Sequence, residues 1–206
     1  VWEAIALANR HPRIHILRPG PGVGGHCISV DPWFLVEAAP DLTPLIKTSR
    51  QVNDSQPQFV LRLVRRALGM VDAEKSLQGV RVAALGLAYK PDVDDLRESP
   101  AIEVARLLGQ AGAVVRAFEP FKKDAQVKDV QCVATLEDAV QGADVVILLV
   151  AHQLFKELDP MRMKPLVRKP ILVDAVGAAR KDQWQAAGFW VYRLGDGKSG
   201  YAPLRG

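Results

Sequence analysis

The longest uninterrupted apolar run of the chain, Val145-Val146-Ile147-Leu148-Leu149-Val150-Ala151, limits its possible folds more than any other stretch. It is far shorter than the roughly 20 residues needed to cross a bilayer. A short, all-apolar run reads as a strand covered on both faces, as in parallel sheets. Segments with strand character also occur at residues 80–85, 113–118, 171–173 and 189–192. Helical patterns alternate with them: residues 100–110 behind Ser99, residues 136–141 where Thr135 and Asp138 have capping-box spacing, and residues 181–187. This alternation predicts an α/β fold with an open, doubly wound, mainly parallel sheet over residues 76–206. In such sheets ligands bind beyond the carboxyl ends of the strands.

Residues 1–75 follow a helical pattern instead. Trp2, Ile5 and Leu7 read as the end of a helix, followed by a loop over 9–25. Asp31 is the expected N-cap of a second helix, with Pro32 at its first position, and Thr43-Pro44 repeats the signal. Leu45, Ile46, Val52, Phe59, Val60, Leu63, Val64 and Ala67 then recur at helical spacing, and Pro57 should kink or split that helix near Ser55. Little chain precedes this stripe, so it is expected to pack on a partner subunit or on chain outside this sequence.

With 49% hydrophobic and 24% charged residues, the chain has globular composition. The net charge of +4 comes from scattered basic residues without interleaved aromatics, which argues against nucleic acid and suits a small anion. Neither a signal peptide nor a membrane span is evident, and no membrane partner is expected. Cys27 and Cys132 lie in contexts too different to predict a disulfide or a metal site, so a reducing cytoplasm is the expected location. Cys132 reads as a core residue, and His15, His26 and His152 read as structural.

Two stretches carry chemistry. Residues 20–27 hold four glycines in eight positions and end on Cys27, with Asp31 four residues later. Such glycines serve a close approach to the backbone or a positive φ, and a thiol in that setting is a candidate nucleophile. Asp31 is placed to orient a water or to steady an alkoxide, although an N-cap needs no catalytic role. The second stretch, residues 86–98, joins the first strand to its helix and far exceeds the usual 2–6 residues. Its Lys90 and Arg97 suit phosphate. It lacks the G-x-G-x-x-G fingerprint, so standard dinucleotide binding by this sheet is not expected.

The stretch Pro19-Gly20-Pro21-Gly22-Val23-Gly24-Gly25-His26-Cys27-Ile28-Ser29-Val30-Asp31-Pro32, with Gly86-Leu87-Ala88-Tyr89-Lys90 and Arg97-Glu98-Ser99-Pro100, resembles the UDP-glucose/GDP-mannose dehydrogenase family. The Arg10-His11-Pro12-Arg13 segment and the His26-Cys27 pair resemble its branch acting on UDP-N-acetylmannosamine more than its UDP-glucose branch. UDP-glucose and UDP-N-acetylglucosamine dehydrogenases stay open as alternatives, as does a UDP-sugar-binding and dimerisation module without chemistry. The resemblance implies two consecutive oxidations of a sugar primary alcohol to a carboxylate, through a thiohemiacetal and a thioester on Cys27. It implies that residues 1–75 are a helical central region of a homodimer and that residues 76–206 form a Rossmann-like UDP-sugar-binding domain. NAD would be bound mainly by an amino-terminal domain outside this sequence, so the chain alone is expected to be inactive. Among substrate contacts the resemblance implies His11 and Arg13, acting on the sugar or diphosphate of the same or the neighbouring subunit. It further implies the Gly24 backbone near the sugar, Lys90 at the diphosphate, and Tyr89 on the uracil or ribose side. Arg97 would reach NAD, with local pairing to Asp94 or Asp95 as the alternative. Where the family often has a basic residue this chain has Val176, and Arg180 is a possible replacement.

Overall fold

Why the run at 145–151 is wholly apolar becomes plain from its neighbours in space. The structure is a computed structural model that describes residues 1–70 and 75–197. Its helical part comprises α1 (Trp2–Ala8), α2 (Asp31–Ala38), a 3-10 turn (Pro40–Leu42), α3 (Pro44–Asp54) and α4 (Gln56–Ala67). Then follow β1 (Arg81–Leu85), α5 (Pro100–Gln110), β2 (Val114–Phe118), β3 (Gln131–Cys132), α6 (Leu136–Val140) and β4 (Val145–Leu148). The chain continues through α7 (Gln153–Lys156), α8 (Pro160–Met163), β5 (Ile171–Asp174), α9 (Lys181–Ala186) and β6 (Trp190–Arg193). The strands form a sheet in the order β3-β2-β1-β4-β5-β6, and every neighbouring pair is parallel. β1 and β4 occupy its centre, and the direction of winding reverses between them.

Side chains alternate across the sheet. Val82, Ala84, Val145, Ile147 and Val173 pack with residues of α4 and α5. Ala83, Leu85, Val146, Leu148 and Leu172 pack on the opposite face with residues of α6 to α9. Every residue of β4 is buried, as a central strand between two helical layers requires. Among the described residues no helix is long and apolar enough to cross a membrane.

Most element starts follow their local chemistry. Ser99 accepts the Ala101 amide, and Thr135 accepts the Asp138 amide. The Asp138 carboxylate accepts the Thr135 hydroxyl at 2.6 Å, rather than closing a full capping box. Pro57 marks a break, with α3 ending at Asp54 and α4 starting at Gln56. The expected N-cap at Asp31 is corrected: Val30 is the cap and Asp31 the first helical residue. The turn before it runs straight into the helix, because the Cys27 carbonyl accepts both the Val30 and Asp31 amides and Val30 is already helical. Asp31 instead places its charge in the first turn, where the helix dipole favours it. The two-residue β3 and the four-residue α7 and α8 are too short to show a period in sequence.

The expectation that the apolar stripe of residues 45–67 faces a partner is corrected for α4. Val60, Leu61, Leu63, Val64 and Ala67 join the core between α5 and the β5–β6 side of the sheet. On that face α5 covers β1 and β2, while the crossovers around β4, β5 and β6 all pass on the other face. α4 fills the bare half. Leu45 and Val52 on α3 stay exposed, at 78% and 57%.

A buried polar network fixes the loop after β1. Glu119, just past β2, accepts the Leu87 amide at 2.7 Å and the Ala88 amide at 3.0 Å on one oxygen, and the Phe121 amide at 3.1 Å on the other. His152 Nε2 lies 3.2 Å from Glu119, and His152 Nδ1 accepts the Asp92 amide at 2.8 Å. Burial pushes the Glu119 carboxyl up, but the His152 hydrogen bond and the Leu87 and Phe121 amides outweigh it and hold it below the ordinary glutamate value. A carboxyl lowered by folding adds stability above its unfolded pKa, and that stability is lost as pH falls through the folded value.

Two outcomes follow for denaturant unfolding. Leu63→Ala should cost about 2–4 kcal/mol through the cavity it leaves, whereas exposed Leu45→Ala should stay within about 0.5 kcal/mol. Glu119→Gln should cost about 1.5–3 kcal/mol at pH 7, the difference shrinking as pH drops below about 4.3.

Candidate active site

The two chemistry-bearing stretches are far apart in sequence and touch in space through glycines. A Cβ on Gly24 would stand 2.2 Å from the Glu98 carbonyl oxygen and 2.7 Å from Pro100 Cδ. Gly25 has φ +91°, and a Cβ there would be 2.9 Å from the Tyr89 ring. The close approach that the sequence signals is thus made by the chain itself: the thiol loop lies backbone-to-backbone on the β1–α5 loop. Gly20, Gly22 and Gly25 do have the one-and-two spacing of a dinucleotide fingerprint, but no strand precedes them.

Beside this contact, at the carboxyl ends of β1 and β4, opens a crevice of about 180 Å³. This is the switch point where open α/β sheets bind ligands. Arg18, Gly20, Tyr89, Lys90, Leu149 and Val176 are among its lining residues. Lys90 Nζ sits 5.3 Å from the centroid of the Tyr89 ring, a cation–π distance. Tyr89 and Lys90 are therefore together. Val176 lines the crevice as well, together with the basic residues Arg18 and Lys90; Arg180 is exposed at the start of α9 and absent from the lining. Sequence reasoning passed over Arg18, whose only signal is its position before Pro19-Gly20. His11 and Arg13 stand apart on an exposed loop, where the Arg13 amide donates to His11 Nδ1 at 3.2 Å. Asn9 pins that loop through both its amide groups to Ile16.

Cys27 is exposed and a free thiol. Helix α3 grips its loop on both flanks. Asn53 Oδ1 accepts the Val23 amide at 2.8 Å, and Arg50 Nη1 donates to the Ile28 carbonyl at 3.3 Å. Arg50 is nearly buried, and its Nη2 pairs with Asp54 at 2.6 Å. His26 Nδ1 lies 3.0 Å from Cys27 Sγ, a contact that sequence reasoning missed by reading His26 as structural. Asp31 is exposed one turn further on, and the group it turns to Cys27 is its backbone amide. Cys132, the other thiol, is half-buried in edge strand β3, and burial pushes it up.

Arg97 pairs with Asp95. Its Nε donates at 3.0 and 3.1 Å to the two carboxylate oxygens and its Nη2 at 2.6 Å to one of them. These hydrogen bonds hold the Asp95 carboxyl at about 2. Cys27 and Tyr89 lie within electrostatic reach of Arg97, as His26 does of Asp95.

After β1 the Gly86 amide donates to the Phe118 carbonyl, and those of Leu87 and Ala88 are taken by Glu119. In dinucleotide-binding sheets a downstream acid serves the ribose instead. Among the described residues no three His, Cys, Asp or Glu side chains gather as a metal site.

Residues 83–181 match the UDP binding domain of the UDP-glucose/GDP-mannose dehydrogenase family, and residues 1–55 match its central domain. The chain is 41% identical over 202 residues to a UDP-N-acetyl-D-mannosamine dehydrogenase of Methanocaldococcus jannaschii, covering 97% of this chain and 44% of that protein. It is 48% identical over 170 residues to an NDP-N-acetyl-D-galactosaminuronic acid dehydrogenase of Ralstonia solanacearum, covering 81% of this chain and 38% of that one. A solved UDP-D-ManNAc dehydrogenase from Pyrococcus horikoshii superposes with a TM-score of 0.79 at 32% identity, covering 95% of this chain and 44% of that chain. This chain thus spans less than half the length of these relatives. With both domain matches in register with its helical and sheet parts, the chain belongs to the UDP-glucose/GDP-mannose dehydrogenase family.

Proposed function

We propose that this chain supplies the nucleophile and the UDP grip of an NAD-dependent nucleotide-sugar 6-dehydrogenase that converts UDP-N-acetylmannosamine to UDP-N-acetylmannosaminuronate. The observation that carries this reading is the docking of the glycine loop on the β1–α5 loop. It sets Cys27 two residues from the contact with Tyr89, itself a wall of the crevice that Lys90 and Arg18 border. UDP occupies that crevice on this reading. Lys90 meets the diphosphate, Arg18 adds a second cation, and Tyr89 packs on the uracil or ribose. Gly24 is assigned to the sugar through its backbone alone, since Glu98 and Pro100 close its other side. His11 and Arg13 stand away from the crevice, which suits action on the neighbouring subunit of a homodimer.

A thiol is required because an aldehyde carbon must be held between two oxidations. The Cys27 thiolate adds to it, the thiohemiacetal still carries a hydrogen to lose as hydride, and the resulting thioester is cleaved by water. Asp31 is assigned to that water. NAD, when bound, takes the hydride at each oxidation; its seat is assigned mainly to chain outside these residues, with Arg97 reaching toward it. The site is placed in the cytoplasm, where the thiol stays reduced.

Three substitutions in the full-length protein test this reading. Cys27→Ala should abolish uronate formation and leave UDP binding intact by calorimetry. Lys90→Ala should weaken UDP about 10- to 100-fold, the loss expected for a charged hydrogen bond; unchanged affinity removes Lys90 from the site. Gly24→Ala should lower turnover by about 10²-fold with little change in UDP affinity, because it displaces the thiol loop by an ångström or more.

A further inference from the structure

We infer that His26 is the catalytic base and acid for Cys27, a role that rests on the thioester reading above. Four observations carry it. The imidazole Nδ1 stands 3.0 Å from Sγ, within reach of direct proton transfer. Both residues are exposed. The loop that presents them is clamped on either flank by Asn53 and Arg50 of α3, so the contact belongs to a held segment. Finally, the ion pair of Asp95 and Arg97 on the β1–α5 loop lies within electrostatic reach of His26 and Cys27. Asp31 is less suited, since its amide rather than its carboxylate meets Cys27.

The proton count closes on His26. With its own hydrogen on Nε2, the Nδ1 lone pair takes the thiol proton, so the S–H bond breaks and an N–H bond forms. The thiolate adds to the aldehyde carbon; the carbonyl π pair moves to oxygen, which takes the proton back from the imidazolium. As that carbon loses its hydride to NAD, the hydroxyl O–H bond breaks, its proton passes through Nδ1 to solvent and the thioester C=O forms. Water then attacks the thioester and gives a proton to Nδ1. The C–S bond then breaks, and the departing thiolate recovers that proton.

The test is alkylation of Cys27 by iodoacetamide in the full-length protein, with Cys27→Ala supplying the Cys132 background. An ordinary thiol is only a few per cent thiolate at pH 7. His26→Gln should therefore slow alkylation at pH 7.0 by roughly tenfold or more, while at pH 9.5, where thiols ionise unaided, the rates should agree within about twofold. Adding free imidazole at pH 7.0 should restore part of the rate. Equal rates at pH 7.0 overturn the assignment, and so does an equal slowing at both pH values, which would mean a displaced loop. His26→Asn provides a second variant if the first folds poorly, judged by circular dichroism. Failure of the underlying reading is seen separately: the unsubstituted protein would then make no uronate, whatever its alkylation rate.

Discussion

The contact on which the site depends is one of backbone against backbone. Gly24 meets the Glu98 carbonyl so closely that no side chain fits between them. Everything placed on one loop is thereby placed relative to everything on the other. The thiol and its imidazole neighbour come from the first, and Tyr89 and Lys90 from the second. Neither loop has regular structure of its own to hold it, so each is tied down from the far side. Asn53 and Arg50 hold the first, while Glu119 and His152 hold the second.

The second of these anchors explains a departure from the usual chemistry of the sheet. The strand order is that of dinucleotide-binding sheets. Yet the Leu87 and Ala88 amides of the β1–α5 loop, and the acid past β2, are spent on one another. The loop is longer than a phosphate-binding turn, and its Lys90 stands at the crevice instead. A buried carboxylate satisfied by amides and an imidazole is costly to leave unpaired, which keeps that loop in one conformation.

Much of the sheet could be read in advance because its signals are local. The five longer strands lie within a residue or two of their expected bounds, as do the helices behind Ser99 and Thr135. What could not be read depends on distance. An amphipathic stripe such as that of α4 looks the same whether it covers its own sheet or another subunit. A glycine without a Cβ looks the same whether a ligand or Glu98 needs the room. Tyr89 and Lys90 could be picked out because an oversized loop in that position attracts attention. Arg18 could not, since a lone arginine before a proline has no pattern. His26 was passed over for a different reason: its neighbour in sequence became its partner in space, and only a rotamer decides that.

The break at Ser55 divides two duties between consecutive helices. Below it, Val60 and Val64 of α4 are locked into the sheet's core; above it, Arg50 and Asn53 of α3 hold the thiol loop. The junction therefore sets an angular phase between scaffold and reagent. One residue inserted there would swing the two clamps by about 100°, the step of a single helical position, without removing any contact inside the core. Chain length between the two helices is thus as tightly specified as any side chain in the crevice.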